Sequence, residues 1–472
     1  MKNDQLGNLI LKTLFKNKNI LSVNIVGSYS EKKNLNTVGD IDVVVICKKI
    51  TKKIINKLKF DLKNLNRKKN TKVKLIINSS FGPLKIKKEN HVPIHLMIYD
   101  IRTHINHVTS SPFTCYDWER TNWYKGISLK EIYPVRSLQL SDFFNARRNS
   151  KEYLRELNKN KISIRKFKFK NQNVFLKKEL VKIDNKNRGE FVFHIINFLI
   201  INLYKYIINK NVKISKTNFK KIFMKITNDK KLFNSFEKLK KDKERRSNFY
   251  SKSIITTGKK FINKYHNYLN QLKKDSTLII FTRHQKTLLN KKNTFLGSGS
   301  NPDIIYKKVK KINNNNFDLL VTSQLKRAKN SGKYFNFKKR LTNKLLNEIN
   351  YGKAEGLKFN VFKNNYPKIV NSWSKGIDIR FPNGENTLDV KKRVLKFLNY
   401  LKRLNSKKSV VVITHSFFLR VLIGIIYNLD LKKIYKIRID HLKELQFIRI
   451  GKQLSTNIQR SDIRIFYEQI ND

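Results

Sequence analysis

The chain has 472 residues, 102 Lys and Arg against 34 Asp and Glu, a formal net charge of +68, and two cysteines, Cys47 and Cys115. That length exceeds what one core supports and points to about three domains. Two cysteines exclude a disulfide framework and a cysteine-only metal cluster, and Lys12 interrupts the apolar stretch Leu9–Leu14, so no signal-peptide core is expected and cytoplasm is the expected compartment.

Taken in chain order, the first apolar run is Val23-Asn24-Ile25-Val26, which leads into Gly27-Ser28; Asp40-Ile41-Asp42-Val43-Val44-Val45 follows. Strand alternation puts Asp40 and Asp42 on one face, so both carboxylates can converge on one site. Two carboxylates at that spacing suit Mg²⁺, which takes oxygen ligands and shares them with substrate phosphates. Glycine has no Cβ, so the Gly27-Ser28 turn can bring backbone N–H groups close to a triphosphate. Gly-Ser followed by Asp-x-Asp on a strand resembles the polymerase beta-like nucleotidyltransferase superfamily. The resemblance implies a mixed sheet with helices, a nucleoside triphosphate held by Gly27 and Ser28, and Mg²⁺ held by Asp40 and Asp42. It also implies a third carboxylate on a later strand, which reads as Val92–Asp100. His95 stands at the expected position, and Asp100 is the nearest acid. Three alternatives stay open: Asp100 substitutes, fewer ligands suffice, or the domain binds nucleotide without transferring it.

The middle of the chain reads as mostly helical. Leu138, Leu140, Phe143, Phe144, Leu154 and Leu157 suggest helices, as do Gly189–Lys210 and Lys252–Lys273. Phe191–Leu203 is strongly apolar but shorter than the roughly 20 residues a membrane span needs, so it is read as a buried core helix and no membrane partner is expected. Lys161–Lys170, with Phe167 and Phe169 among basic residues, is where a nucleic acid would bind. Nucleic acid is not the favoured partner, however. Lys is spread over all regions, outnumbers Arg, and accompanies excess Asn and Ile, as an AT-rich coding sequence would produce.

The last part opens with the apolar run Thr277–Phe281, which delivers Arg283 and His284 to a strand end. Then come Ser323-Gln324-Leu325-Lys326-Arg327, Asn347-Glu348 with Glu355-Gly356, Asn383-Gly384-Glu385, and Val410–Ile413 running into Thr414-His415-Ser416 with Arg420. Phosphoryl transfer from a monoester needs an in-line nucleophile and cationic donors around the phosphoryl oxygens. Arg283 and Arg327 can supply planar donors, His284 can carry the phosphoryl group, and Glu348 can protonate the leaving alkoxide and later activate water. His415 would complete the cationic pocket. This ordered set resembles the histidine phosphatase superfamily, the phosphoglycerate mutase-like enzymes, and the resemblance implies that Asn290 also contacts the phosphoryl group. That family usually has Gly after each histidine, where this chain has Gln285 and Ser416.

The expected fold class is a multidomain α/β and α+β protein. Residues 1–140 would form a nucleotidyltransferase-like domain, 141–271 a mostly helical middle domain, and 272–472 a three-layer α/β/α phosphatase-like domain. The expected function is bifunctional: phosphomonoester hydrolysis through phosphohistidine on a phosphorylated small molecule, with no cofactor, plus Mg²⁺-dependent nucleotidyl transfer. The rivals are a phosphatase with a nucleotide-sensing N-terminal domain and an RNA end-processing protein.

Overall fold

The structure is a computed structural model that describes residues 3–32, 40–67, 74–78, 80–81, 91–170, 173–185, 187–244, 249–292, 294–306, 311–312, 315–404, 409–427, 429–450 and 453–456. The chain divides into two compact units, Met1–Asn270 and Gln271–Asp472.

In the first unit the strands are β1 (Ile20–Val26), β2 (Ile41–Cys47), β3 (Lys74–Asn78), β4 (Ser80–Phe81), β5 (His91–Asp100), β6 (Tyr124–Gly126), β7 (Lys161–Lys170) and β8 (Asn173–Lys182). Five of them form a mixed sheet in the order β3-β5-β2-β1-β6. β5 runs parallel to β2 and β3, while β1 is antiparallel to both its neighbours. Period-two alternation sorts the side chains. Val23, Ile25, Val43, Val45, Ile94, Leu96 and Ile98 join Leu6, Ile10 and Leu14 of helix Asn3–Phe15 and Leu58 and Leu62 of helix Lys52–Arg67 in one core. The intervening residues, Asp42 and His95 among them, therefore turn to the opposite face.

The region read as mostly helical contains helices Ser150–Asn158, Arg188–Ile208, Lys216–Thr227, Lys230–Glu244 and Ser253–Lys274. A Phe cluster ties several together: Phe236 stacks on Phe193 and Phe219, and Phe223 meets Phe261. Between them lies an element that helical periodicity does not announce. The basic stretch Lys161–Lys170 is β7, paired antiparallel with β8 and, through Arg165 and Lys166, with β4. Helix Arg188–Ile208 is also longer than its most apolar stretch suggests. With 21 residues it is long and apolar enough by composition to cross a membrane, so the shortfall in length expected from the sequence does not hold. Its buried residues include Lys205, which pairs with Asp117, and Arg188, which donates to the Tyr250 carbonyl over 2.9 Å. Buried polar side chains held by contacts within the first unit are those of a core helix.

The second unit is three-layered around a sheet of β9 (Thr277–Arg283), β10 (Asn316–Thr322), β11 (Asn336–Thr342), β12 (Val410–Thr414), β13 (Glu444–Ile450) and β14 (Gln453–Thr456), in the order β11-β10-β12-β9-β13-β14. β11, β10, β12 and β9 are parallel, and β13 and β14 close one edge antiparallel. Ile280, Leu320, Val411 and Ile413 bury one sheet face against Ile304, Ala328, Tyr334 and Phe335. On the other face Phe281 meets Phe397 of helix Thr387–Leu401, which in turn meets Phe418 of helix Ser416–Tyr427. Parallel strands of one sense bring their C-terminal ends to one edge, where open α/β sheets bind ligands.

Candidate active sites

Three neighbouring strands end together in the second unit. β10 gives way to Ser323, β12 to His415 and β9 to His284, in the spatial order β10-β12-β9. Adjacent parallel strands in register thus place residues far apart in sequence side by side. The His284 and His415 ring centroids are 5.0 Å apart, and both residues are buried. The His284 Nδ1 lies 2.6 Å from the Gln285 carbonyl, which accepts only from a protonated Nδ1. Nε2 is then the nitrogen with the free lone pair. Burial first, then the positive charges of Arg327 and Arg283, hold the imidazole well below its ordinary pKa, so it stays unprotonated and nucleophilic.

Ser323 partners the second histidine. Its Oγ accepts from Leu325 N over 3.3 Å and lies 2.6 Å from His415 Nε2. His415 Nδ1 is a buried atom with no partner among the described residues. Two buried donors are in the same condition, Nε of Arg283 and Nε of Arg327. Arg283 otherwise donates to the Ile439 carbonyl over 2.9 Å, and Arg327 to the Gly297 and Ser300 carbonyls over 2.8 and 2.7 Å. Burial lowers both guanidinium pKa values, that of Arg283 to about 10, and the nearby Glu348 opposes this. Buried donors without acceptors are costly, and a phosphoryl oxygen is the acceptor that would relieve them.

Glu348 is the buried carboxyl of the same pocket. Its carboxyl accepts from the N–H of Phe417, in the first turn of helix Ser416–Tyr427, and from that of Ile349. Complete burial outweighs Arg327 and these donors and raises its pKa above the ordinary range. Two carboxylates hold the surrounding loops. Glu355 accepts from Gly297 N, Gly299 N and Ser300 Oγ, fixing the loop whose carbonyls grip Arg327. Glu385 accepts from Asn350 N and, through both oxygens, from Arg393, whose Nη1 also holds the Leu345 and Asn347 carbonyls. The Glu355 and Glu385 motifs were visible in the sequence, but these positioning roles needed the fold.

Asn290 is not brought in through its oxygen. Its Oδ1 accepts from Thr287 N and Oγ1, both over 3.0 Å, in a capping box for the short helix Leu288–Lys291. Gln285 and Ser416 occupy the usual glycine positions, yet neither adopts positive φ, so this backbone does not require glycine there.

In the first unit, register places Asp42 beside His95 and His95 beside Asn78 across three parallel strands. His95 Nδ1 lies 3.1 Å from Asp42 Oδ1. Asp40 is buried, immediately before β2. Gly27 has φ +75° and opens helix Gly27–Lys32, and a Cβ there would lie 2.5 Å from Asp42 Oδ2, so glycine is what lets the chain pass that carboxylate. Ser28 is exposed in the same turn. Asp100 does not join them. It pairs with Cys47, five positions along β5 from His95, roughly 16 Å at strand rise. There it caps helix Ile101–Ser110, its Oδ1 accepting from Thr103 N over 2.8 Å. Asn78, which carries no motif, is the neighbour that only the register reveals. Among the described residues no group of three or more His, Cys, Asp or Glu side chains is placed to hold a metal ion.

Comparison with known proteins follows the same division: residues 279–456 match the histidine phosphatase superfamily (branch 1), and residues 8–95 match the nucleotidyltransferase domain. The chain carries a histidine phosphatase domain fused to a nucleotidyltransferase domain. It is a two-domain enzyme on that evidence. The nucleotidyltransferase match ends at His95 and contains Gly27, Ser28, Asp40 and Asp42, whereas the histidine phosphatase match contains both site histidines, Arg327 and Glu348. Similar solved structures include the alpha-ribazole phosphatase from Shigella flexneri, at 19% identity over 39% of this chain and 97% of that one with a TM-score of 0.34. Others are the phosphoserine phosphatase from Entamoeba histolytica (20% identity, 39% and 95% covered, TM-score 0.33) and the mycobacterial glucosyl-3-phosphoglycerate phosphatase (16%, 39% and 98%, TM-score 0.31). The substrates in those names are those proteins' own. No curated protein sequence matches the chain.

Proposed function

We propose that the histidine phosphatase domain hydrolyses phosphomonoesters through a phosphohistidine on His284. The observation that carries this reading is the unprotonated His284 Nε2 in a pocket where, among the described residues, the buried Nε donors of Arg283 and Arg327 and the buried Nδ1 of His415 have no partner. Nε2 attacks phosphorus and the P–O bond to the leaving group breaks. Glu348 gives its proton to the departing alkoxide, which leaves as the alcohol. Water then attacks phosphorus, ionised Glu348 takes a water proton, and the N–P electron pair returns to Nε2. The Nδ1–H remains on the Gln285 carbonyl throughout, so the ring need not turn between the two steps. A panel of phosphorylated metabolites assayed for released phosphate, wild type beside His284→Ala, tests this. Release that persists in the variant would refute it.

For the nucleotidyltransferase domain we propose that Asp40 and Asp42 hold Mg²⁺ together with a nucleoside triphosphate lying over Gly27 and Ser28. The donor set fits a cation that takes one or two carboxylates and completes its shell with phosphate and water. Bound there, Mg²⁺ would neutralise phosphate charge during nucleotidyl transfer. A second reading, nucleotide sensing without transfer, is favoured by the His95 contact to Asp42, which puts an imidazole where the family's third carboxylate is expected. Asp40→Asn discriminates: ATP turnover that vanishes supports transfer, and turnover that survives unchanged rules out the metal-dependent reading.

A further inference from the structure

The His284 backbone is held from a turn about 150 residues away that no motif marks. Three hydrogen bonds run between it and residues 283–284. Arg283 Nη1 donates to the Ile439 carbonyl over 2.9 Å, Leu442 N donates to the Arg283 carbonyl over 3.0 Å, and His441 Nδ1 lies 2.7 Å from the His284 carbonyl. The His441 ring also packs edge-on against the His284 ring, with centroids 5.4 Å apart. Leu442 pays for this turn with φ +61°, a conformation that a branched side chain rarely adopts. The His284 N–H donates to the Thr414 carbonyl over 3.0 Å and the Gln285 N–H to Ser331 Oγ over 2.8 Å. The nucleophile's peptide units are therefore fixed from β12, from helix Lys326–Ser331 and from the 439–442 turn.

We infer that His441 is a positioning residue for the nucleophile, donating its Nδ1–H to the His284 carbonyl and so fixing the direction in which His284 Nε2 points. The inference rests on the phosphohistidine reading above. Its physical logic is a relay of two donor bonds: His441 fixes the His284 carbonyl, and the adjoining Gln285 carbonyl fixes the His284 ring through Nδ1. In-line attack tolerates little angular error, and orientation of this kind is worth much of a catalysed barrier. A carbonyl accepts only from a protonated Nδ1, and burial followed by the Arg283 charge pushes His441 down to about 4, so the neutral Nδ1–H tautomer holds through the physiological range.

The test is the pre-steady-state burst of p-nitrophenol from p-nitrophenyl phosphate with the full chain, for wild type, His441→Phe and His441→Asn. Phenylalanine keeps a ring against His284 but donates nothing, whereas the asparagine amide can place a donor near the position of Nδ1. Expected is a saturating burst rate about tenfold to a hundredfold lower in His441→Phe with the substrate concentration that half-saturates the burst unchanged, and the rate largely restored in His441→Asn. An unchanged burst in His441→Phe, a rate in His441→Asn as low as in His441→Phe, or a loss confined to the half-saturating concentration would each overturn the inference. Where wild type shows no burst, phosphorylation of His284 limits turnover and kcat reads the same step; inversion instead of retention of configuration at phosphorus, read with an isotopically chiral phosphate ester, would overturn the phosphohistidine reading itself, and this inference with it.

Discussion

The two sites differ in what the protein has already done to their charged groups. In the histidine phosphatase domain the proposed nucleophile, its donors and the proposed acid come from strand ends or loops braced by Glu355 and Glu385, and several buried donors have no acceptor among the described residues. In the nucleotidyltransferase domain the corresponding carboxylate, Asp42, already has a protein partner in His95. Unmet donors store a demand that an anionic ligand satisfies. A carboxylate that is already bonded must give up or share that contact before it binds a metal, so the second site starts from a less committed state.

The largest expected effect bears on the first half of that comparison. His284→Ala should lower phosphate release by about ten-thousandfold or more, and a smaller loss measured by steady-state release would mean that water, not the imidazole, attacks phosphorus. Glu348→Gln should cost on the order of a thousandfold in kcat. The sign with pH can be worked out. Glu348 has a raised pKa, so it stays protonated above the usual carboxylate range and loses its proton as pH rises through that raised value. Wild-type kcat/KM, which reads the step that needs protonated Glu348, should therefore fall on the alkaline side of the raised value, and this limb should be missing from the residual activity of Glu348→Gln. On the acid side His284 stays unprotonated well below its ordinary value, so no loss of nucleophile is expected near pH 6.

The other half of the comparison is sharpened by His95→Asp, which removes the competing imidazole and supplies the missing acid. Nucleotidyl transfer from ATP in Mg²⁺ should rise about tenfold or more if the contact to Asp42 limits metal binding. Unchanged transfer by this variant would show that His95 imposes no such limit. Smallest is Gly27→Ala, which should destabilise the first unit by about 1–2 kcal/mol in denaturant titration, because φ is +75° and the new Cβ would press on Asp42 Oδ2. A neutral result would mean that the turn relaxes without strain.

The sequence by itself determined the two domain types and their order. Strand-end dipeptides such as Arg283-His284 and the alternation of Asp40 with Asp42 depend on local backbone period, which neighbouring residues carry. It also contained Glu355 and Glu385 as motif residues, without their purpose. Asp100 and Asn290 also complete capping boxes with Thr103 and Thr287, an equally local role that spacing alone does not separate from ligand binding. The sequence also missed the strand character of Lys161–Lys170, since a ribbon is stabilised by its partner strand and not by its own pattern. What only the tertiary structure decided is every relation across strands. These include the His95 neighbour of Asp42, the Asn78 neighbour of His95, the Ser323 hydroxyl beside His415 Nε2, and the His441 turn against His284. Such contacts follow from register and strand order, which are properties of the packed sheet and leave no periodic trace in any single stretch of chain.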